Sequence, residues 1–341
     1  MKHTALKAAL SAVLALTLSA CGGAAAPAEP AETAAAAGES KTYKVAIVKQ
    51  LDHASLDEIA NAVAAELDEL AAKNGVTIDY GSIYSGQNDQ TVLQQIGSQA
   101  IADDVDVIIP IATLAAQTMT AAAGDTKTPI VYAAISDPEA AELTGIDYVT
   151  GTSDALNTEV IMNMVFAQNP DAKKIGLLYS KSEANSAKPI AEAKAYLDAK
   201  GIEYIEATGN TNDEVQQAVS SLIGQSVDAI FTPTDNVVMA AELSFAGDLA
   251  EAGIPHYTGA DSFVRNGAYT TCGVNYTELG KKTADYAFEV LVNGGKGSLE
   301  DYYLMDGGIV TVNTETAETL GLDYSVFKQF GELVEVTTTE D

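Results

Sequence analysis

The sequence predicts an α/β protein made of two similar, doubly wound parallel-sheet lobes joined by a multi-strand hinge. Three observations carry that prediction. Apolar strand-like runs and periodic helix-like runs alternate from Tyr43 onward, in the same order in both halves. Whole phrases recur: "VDVIIPIAT" (Val105–Thr113) matches "VDAIFTPTD" (Val227–Asp235), and "TPIVYAA" (Thr128–Ala134) matches "IPHYTGA" (Ile254–Ala260). Beyond Asp261 the remaining chain is too short for a third domain, so its pieces return to the two lobes and cross between them several times.

In the first half, "YKVAIV" is a buried-type strand, followed at helical spacing by Leu56, Ile59, Ala60, Val63, Leu67 and Leu70. Asp57, Glu58, Glu66 and Asp68 fall on other faces of that helix, and Lys73–Gly75 supplies its stop. "VTIDYGSI" is the next strand, and Leu93, Ile96, Ala100 and Ile101 mark the next helix. Strand "VDVIIPIA", helix "TLAAQTMTAAA" and strand "PIVYAAI" complete the half. The second half repeats the series. Strand "KIGLLYS" leads to helix Ile190–Lys200 ending at Gly201, and "IEYIEA" to helix Asp213–Ile223. "VDAIFTP" leads to helix Asn236–Ala252 ending at Gly253, then to strand "IPHYTGA". "AYTTCGVNY" reads as a strand, Glu278–Val292 as a helix, and "YYLMDGGIVTVN" and "TETAETLGL" as the returning pieces.

The amino-terminal residues read differently. Lys2 and Lys7 precede the apolar "AALSAVLALTLSA", too short for a membrane span, and "LSACGG" follows with small residues before Cys21. That order is a bacterial lipobox: residues 1–20 are a signal peptide, and Cys21 is lipidated and holds the protein to the outer face of the cell membrane. Gly22–Ser40, rich in Ala, Pro, Glu and Gly without an apolar period, reads as a tether. With Cys21 lipidated, Cys272 has no partner for a disulfide and is a small buried hydrophobe. The expected organisation is a signal peptide over 1–20, lipidated Cys and tether over 21–42, a first lobe over 43–155 and 275–300, a second over 156–274 and 301–330, and an acidic tail over 331–341.

Composition and motifs exclude several functions. A formal charge of −30 over 341 residues offers no basic footprint for nucleic acid. The chain lacks G-x-S-x-G, H-E-x-x-H and a P-loop, and "NGGKGS" (Asn293–Ser298) has the wrong spacing and reads as a turn. His53 and His256 have no ligand-spaced companions. Hence no catalytic set, metal or cofactor is expected.

In open parallel sheets a ligand lies beyond the carboxyl ends of the strands, where helix starts present free amides. The stretches at those ends are Gln50–His53, Tyr84–Gln87, Ala112–Thr113, Ser136–Asp137, Ser180–Ser186, Pro233–Asn236 and Ala260–Ser262. They supply the candidate ligand-binding residues Gln50, His53, Tyr84, Ala112, Thr113, Ser136, Asp137, Ser182, Asn185, Ser186, Thr234, Asp235, Asn236 and Asp261. Thr113, Asp235 and Asn236 are equally suited to cap helices. One helix end stabilises a charge by about 0.3–1 kcal/mol, whereas micromolar binding needs about 8 kcal/mol. Groups from both lobes must therefore converge, by closure about the hinge.

At these loops the sequence resembles the substrate-binding lipoproteins of bacterial ABC transporters with the type I periplasmic-binding-protein fold, in the branch associated with tryptophan and tyrosine. The resemblance runs from Tyr43 to Leu322 and rests on "DHASLD" (Asp52–Asp57), "IATLAAQ" (Ile111–Gln117), "ISDP" (Ile135–Pro138), "TGTSD" (Thr150–Asp154), "SEANS" (Ser182–Ser186), "PTDN" (Pro233–Asn236) and "GVNYTELG" (Gly273–Gly280). The chain departs from the family pattern at Ala54 and Leu114, where Pro is common, and at Asn275, where Asp is frequent. The resemblance implies a monomer that binds a zwitterionic amino acid and hands it to an ABC permease and its ATPase. It implies a carboxylate received by Thr113 and neighbouring amides, an ammonium paired with Asp235 and Asp261, and hydrogen bonds from Gln50, Asn185 and Ser186. It also implies an aromatic side chain packed on Tyr84 or Tyr132. The alternatives are a nucleoside or sugar receptor, although this chain has no Trp to stack on a sugar, and a receptor read by a sensor.

Overall fold

The computed structural model describes residues 41–339. The signal segment, Cys21 and nearly all of the expected tether lie outside the described residues.

In chain order the first sheet and its helices are β1 (Thr42–Lys49), α1 (Ala54–Asn74), β2 (Thr77–Asp79), β3 (Tyr84–Ser85), α2 (Gln90–Ala102), β4 (Val107–Ile111), α3 (Thr113–Ala122), β5 (Ile130–Tyr132) and β6 (Val149–Ser153). There follow α4 (Thr158–Gln168), β7 (Lys174–Tyr179), α5 (Ala187–Lys200), β8 (Glu203–Thr208), α6 (Asn212–Gly224), β9 (Ala229–Thr232), α7 (Asn236–Ala241) and α8 (Ala246–Glu251). The chain ends with β10 (His256–Thr258), α9 (Asp261–Arg265), β11 (Thr270–Gly273), α10 (Tyr276–Asn293), β12 (Tyr303–Leu304), β13 (Ile309–Asn313), α11 (Thr314–Leu320) and β14 (Glu332–Val336).

These strands form two 7-stranded sheets. The first runs β12-β6-β5-β4-β1-β2 with β3 also on β1, every pairing parallel. The second runs β14-β13-β11-β10-β9-β7-β8, parallel except for β11 against β13. The fold is thus the expected pair of α/β lobes. The central strands β4, β5 and β9 are buried along their whole length, which is why they read as largely apolar runs. The chain passes between sheets after β6, after β11 and again between β12 and β13.

Helix α1 buries Leu56, Ile59, Val63 and Leu67 at helical spacing, each worth about 1.5–3 kcal/mol. Its other neighbour is α10, and the contact depends on Gly280. A Cβ there would sit 2.7 Å from both Ala62 Cβ and Ile59 O. This close packing sets the axis of α1 and so aims its start at the space between the sheets.

The structure departs from the sequence reading in several places. The expected helix Asn236–Ala252 is broken into α7, a 3-10 turn at Glu242–Ser244 and α8. Glu242 is fully buried and its Oε1 lies 2.9 Å from His256 Nδ1, which turns that backbone inward. "VTIDYGSI" is two short strands, β2 and β3, on either side of a turn. Three elements carry no clear period in sequence and emerge only from packing: β6, α4 and the short α9. Strand β12 pairs Tyr303 with Thr152 and so belongs to the first sheet, within the 301–330 span expected in the second lobe. Residues 332–336 are no tail, because β14 pairs with β13 from Ile309↔Glu332 to Asn313↔Val336.

Among the described residues no helix is long and apolar enough to cross a membrane, and no group of His, Cys, Asp and Glu could hold a metal ion. Cys272 is a buried free thiol in β11.

Candidate functional site

Residues that follow β1, β4, β5, β6, β7, β9, β10 and β11 meet around one small cavity between the sheets. From the first lobe His53, Ser55, Leu56, Ala112, Thr113, Ala134, Ser136, Asp154 and Tyr276 line it. From the second come Asn185, Thr234, Asp235, Asn236, Met239, Ala260, Ser262 and Phe263.

Helices α2, α4, α6, α7, α10 and α11 begin with a side chain that accepts backbone N–H groups: Asp89, Asn157, Thr211, Asp235, Asn275 and Asn313, whereas α5, α8 and α9 begin without one. Helices α1 and α3 begin at His53 and Ala112, and neither side chain caps. Gln50 Oε1 accepts the Leu114 N–H of the first turn of α3 at 3.0 Å, and the remaining first-turn amides and positive ends of the two helices belong to residues on the cavity wall. Ala112 and Ala134 hold φ of 75° and 56°, a left-handed backbone costly for residues other than glycine. Both line the cavity.

Three polar atoms on the wall are buried and have no hydrogen-bond partner among the described residues: His53 Nδ1 and Ser55 Oγ on one side, Ser262 Oγ on the other. Burying such an atom unpaired costs about 1–3 kcal/mol. Burial also lowers the His53 pKa, so its imidazole is neutral.

Several contacts bridge the lobes. Gln50 Nε2 donates to Glu183 Oε1 (2.8 Å), His53 Nε2 meets Asn236 Oδ1 (3.0 Å), and Ser136 and Thr234 hydroxyls lie 2.9 Å apart. Outside them Lys188 Nζ lies 3.3 Å from Asp137. Arg265 Nη2 on α9 reaches Glu58 on α1 at 2.8 Å and Asp261 at 3.1 Å. This last set is a quarter exposed, so the ion pair is worth about 1 kcal/mol at most. Arg265→Gln is expected to weaken ligand binding about threefold to fivefold, with the difference shrinking in high salt when followed by calorimetry.

The acids divide sharply. Asp235 is fully buried and consumed by the protein itself. Its Oδ1 caps Val237 N and Val238 N at 3.1 and 3.0 Å, and its Oδ2 accepts from Ser180 N and Ser186 Oγ, both at 2.7 Å. Within the protein Asp235 thus caps α7 and ties β7 to β9. Asp154 has spare capacity: it lines the cavity and takes one bond on each oxygen, from Ser136 Oγ (2.9 Å) and Tyr276 OH (3.1 Å). Burial pushes its pKa up. Asp261 Oδ1 is buried without a partner among the described residues, and burial raises its carboxyl to about 6. Asp261 is not itself on the wall.

Of the residues singled out in the sequence, His53, Ala112, Thr113, Ser136, Asn185, Thr234, Asp235 and Asn236 line the cavity. Gln50, Asp137, Ser182, Ser186 and Asp261 stand behind it or at its rim, and Tyr84 is 39% exposed at the sheet edge. Tyr132 is fully buried in the first core, its OH donating to Asp301 O at 3.1 Å. The aromatic rings on the wall are instead Phe263 and Tyr276. Asp154 and Tyr276 were within reach, as the last residue of "TGTSD" and the Tyr of "GVNYTELG".

A family model for ABC transporter substrate binding proteins matches residues 44–327. The chain is 32% identical over 292 residues to a tyrosine-binding protein of Clostridioides difficile (strain R20291), covering 83% of each. It is similar to the solved ABC domain from Streptococcus pneumonia in complex with L-Trp, with TM-score 0.77, 28% identity and coverage of 86% of this chain and 100% of that one. It is also similar to a ligand-free, open substrate-binding protein with adhesive properties from Clostridium difficile, with TM-score 0.64, 29% identity and coverage of 87% and 100%. At nearly equal identity the likeness is greater to the ligand-bound form.

Proposed function

The chain belongs to the family of ABC transporter substrate-binding proteins, and on that premise we propose that it closes its two lobes on a free amino acid with an aromatic side chain. The observation that carries this reading is the set of buried, unpartnered polar atoms, His53 Nδ1, Ser55 Oγ and Ser262 Oγ, on both walls of the cavity. A zwitterion suits its two kinds of end. The ligand carboxylate sits at the start of α3, with Thr113 and nearby amides donating. The ammonium sits by Asp154 and Ser136, and the side chain packs among Phe263, Tyr276 and Met239. The relatives named for tyrosine and crystallised with L-Trp support the aromatic class.

In this reading the protein acts as a monomer outside the cytoplasm, held to the membrane through lipid on Cys21, and passes its ligand to a permease driven by an ATPase. It binds without turnover. The test is a thermal-shift screen of the twenty amino acids with nucleosides and sugars alongside. L-tyrosine or L-tryptophan at a hundred times its Kd is expected to add about 2.7 kcal/mol of stability. A shift with a nucleoside or sugar alone, or with none of the panel, would overturn the reading.

A further inference from the structure

A relay of hydrogen bonds crosses the cleft twice, and its polarity is fixed at one end by a backbone group. Leu114 N–H donates to Gln50 Oε1 at 3.0 Å, so the Gln50 amide nitrogen must face away. That nitrogen donates to Asn88 Oδ1 (2.9 Å) and, across the cleft, to Glu183 Oε1 (2.8 Å). The other carboxylate oxygen, Glu183 Oε2, lies 2.6 Å from Asn236 Nδ2. Asn236 Oδ1 then returns across the cleft to His53 Nε2 at 3.0 Å. His53 Nδ1 ends the relay, buried and without a partner among the described residues, on a side chain that lines the cavity.

The sense of each link follows from the inventory of donors and acceptors. With Glu183 ionised, both its oxygens accept, Asn236 presents its carbonyl to His53, and the imidazole proton sits on Nε2. Nδ1 is then a bare lone pair. With Glu183 protonated, Oε1 must still accept from Gln50, so the proton sits on Oε2. Asn236 turns its carbonyl to that proton and its NH2 group to His53, and the imidazole proton moves to Nδ1. One proton taken from solvent by Glu183 thus reverses what His53 offers a ligand.

We propose that His53 Nδ1 accepts a hydrogen bond from a donor on the bound ligand, and that the Leu114–Gln50–Glu183–Asn236 relay sets it as an acceptor, which protonation of Glu183 reverses. This rests on the amino-acid reading above, whose phenol or indole group supplies the donor. The surroundings place the switch near neutrality. Burial first, then the neighbouring Asp235, raise the Glu183 pKa to about 7 against the opposing bonds from Asn236 and Gln50. His53 faces Asn236, Asp57, Lys49 and Asp52, and burial outweighs them all to keep it neutral. Affinity is therefore highest above the Glu183 midpoint and falls as pH drops through it.

The experiment is nitrogen NMR of ring-labelled histidine in the L-tyrosine complex, with calorimetry, well above and well below that midpoint. Above it, His53 Nδ1 is expected to give an unprotonated signal; below it, a protonated one, with affinity down about tenfold, as for a mismatched buried pair. Glu183→Gln keeps the shape and fixes Asn236 in the reversed sense, so the protonated signal and the weaker binding are expected at every pH. An Nδ1 signal that stays unprotonated in both the acid wild type and Glu183→Gln, or affinity with the same pH dependence in both proteins, would overturn the proposal. The acid titration keeps the test intact if Glu183→Gln fails to fold. Failure of the wild type to bind any amino acid would remove the parent reading and this inference together, whereas binding with an unmoved imidazole signal would remove this inference alone.

Discussion

Asp235→Ala is expected to cost the ligand-free protein about 4 kcal/mol, a fall of about 6 °C in Tm for a body of this size. The carboxylate is fully buried and receives four hydrogen bonds, three of them from backbone N–H groups. Truncation strands those donors, and each buried orphan costs about 1–3 kcal/mol, less where water from the cavity reaches it. The cap on α7 goes as well. Asp235→Asn retains one acceptor but turns an N–H toward donors that already point inward, so about half the loss is expected. Differential scanning calorimetry of the free protein measures both. If the free Tm is unmoved while L-tyrosine affinity disappears, Asp235 pairs with ligand after all and its assignment as a cap is wrong.

Gly259→Ala is expected to be nearly as damaging, at about 2–3 kcal/mol, with more than a tenfold loss of ligand affinity. A Cβ at this position would stand 2.5 Å from Thr234 N and 2.7 Å from Pro233 C. Both are backbone atoms, so no rotamer change relieves the clash and the whole elbow that carries Thr234, Asp235 and Asn236 must move. The matched control is Gly273→Ala, whose Cβ would find Gly259 O at 3.5 Å as its nearest neighbour, an ordinary contact. That variant is expected to stay within about 0.5 kcal/mol of the parent. Equal unfolding curves for the two variants would show that the elbow is not held in place by this contact.

Much of the architecture was legible because parallel strands buried on both faces leave largely apolar runs, and "VDVIIPIAT" and "VDAIFTPTD" became β4 and β9 with their loops at the cavity. Of the three residues suited to cap helices, only Asp235 does so, while Thr113 and Asn236 are the first residues of α3 and α7. What sequence could not reveal was which polar groups the protein would use up internally. Asp235 and Asp154 look alike in one dimension. Ser180 N and Ser186 Oγ, 55 and 49 residues away in sequence, take up Asp235 Oδ2, while the sparser bonding of Asp154 leaves it room. The same limit applies to the aromatics. In a doubly covered sheet both faces are apolar, so nothing in "TPIVYAA" tells which layer Tyr132 enters, and it entered the core. The broken helix at Glu242 likewise depends on a histidine one strand away.

The order in which sheet elements leave the ribosome gives the three crossings a further meaning. The first sheet waits for α10 and β12, which are made after the entire middle of the second, and the second waits for β13 and β14 at the very end. Neither half can finish its core while the chain is still growing. Nascent domains ordinarily consolidate from the front, but here the leading half has its closing pieces last in line. A chain built this way leaves both cores open until synthesis is nearly done.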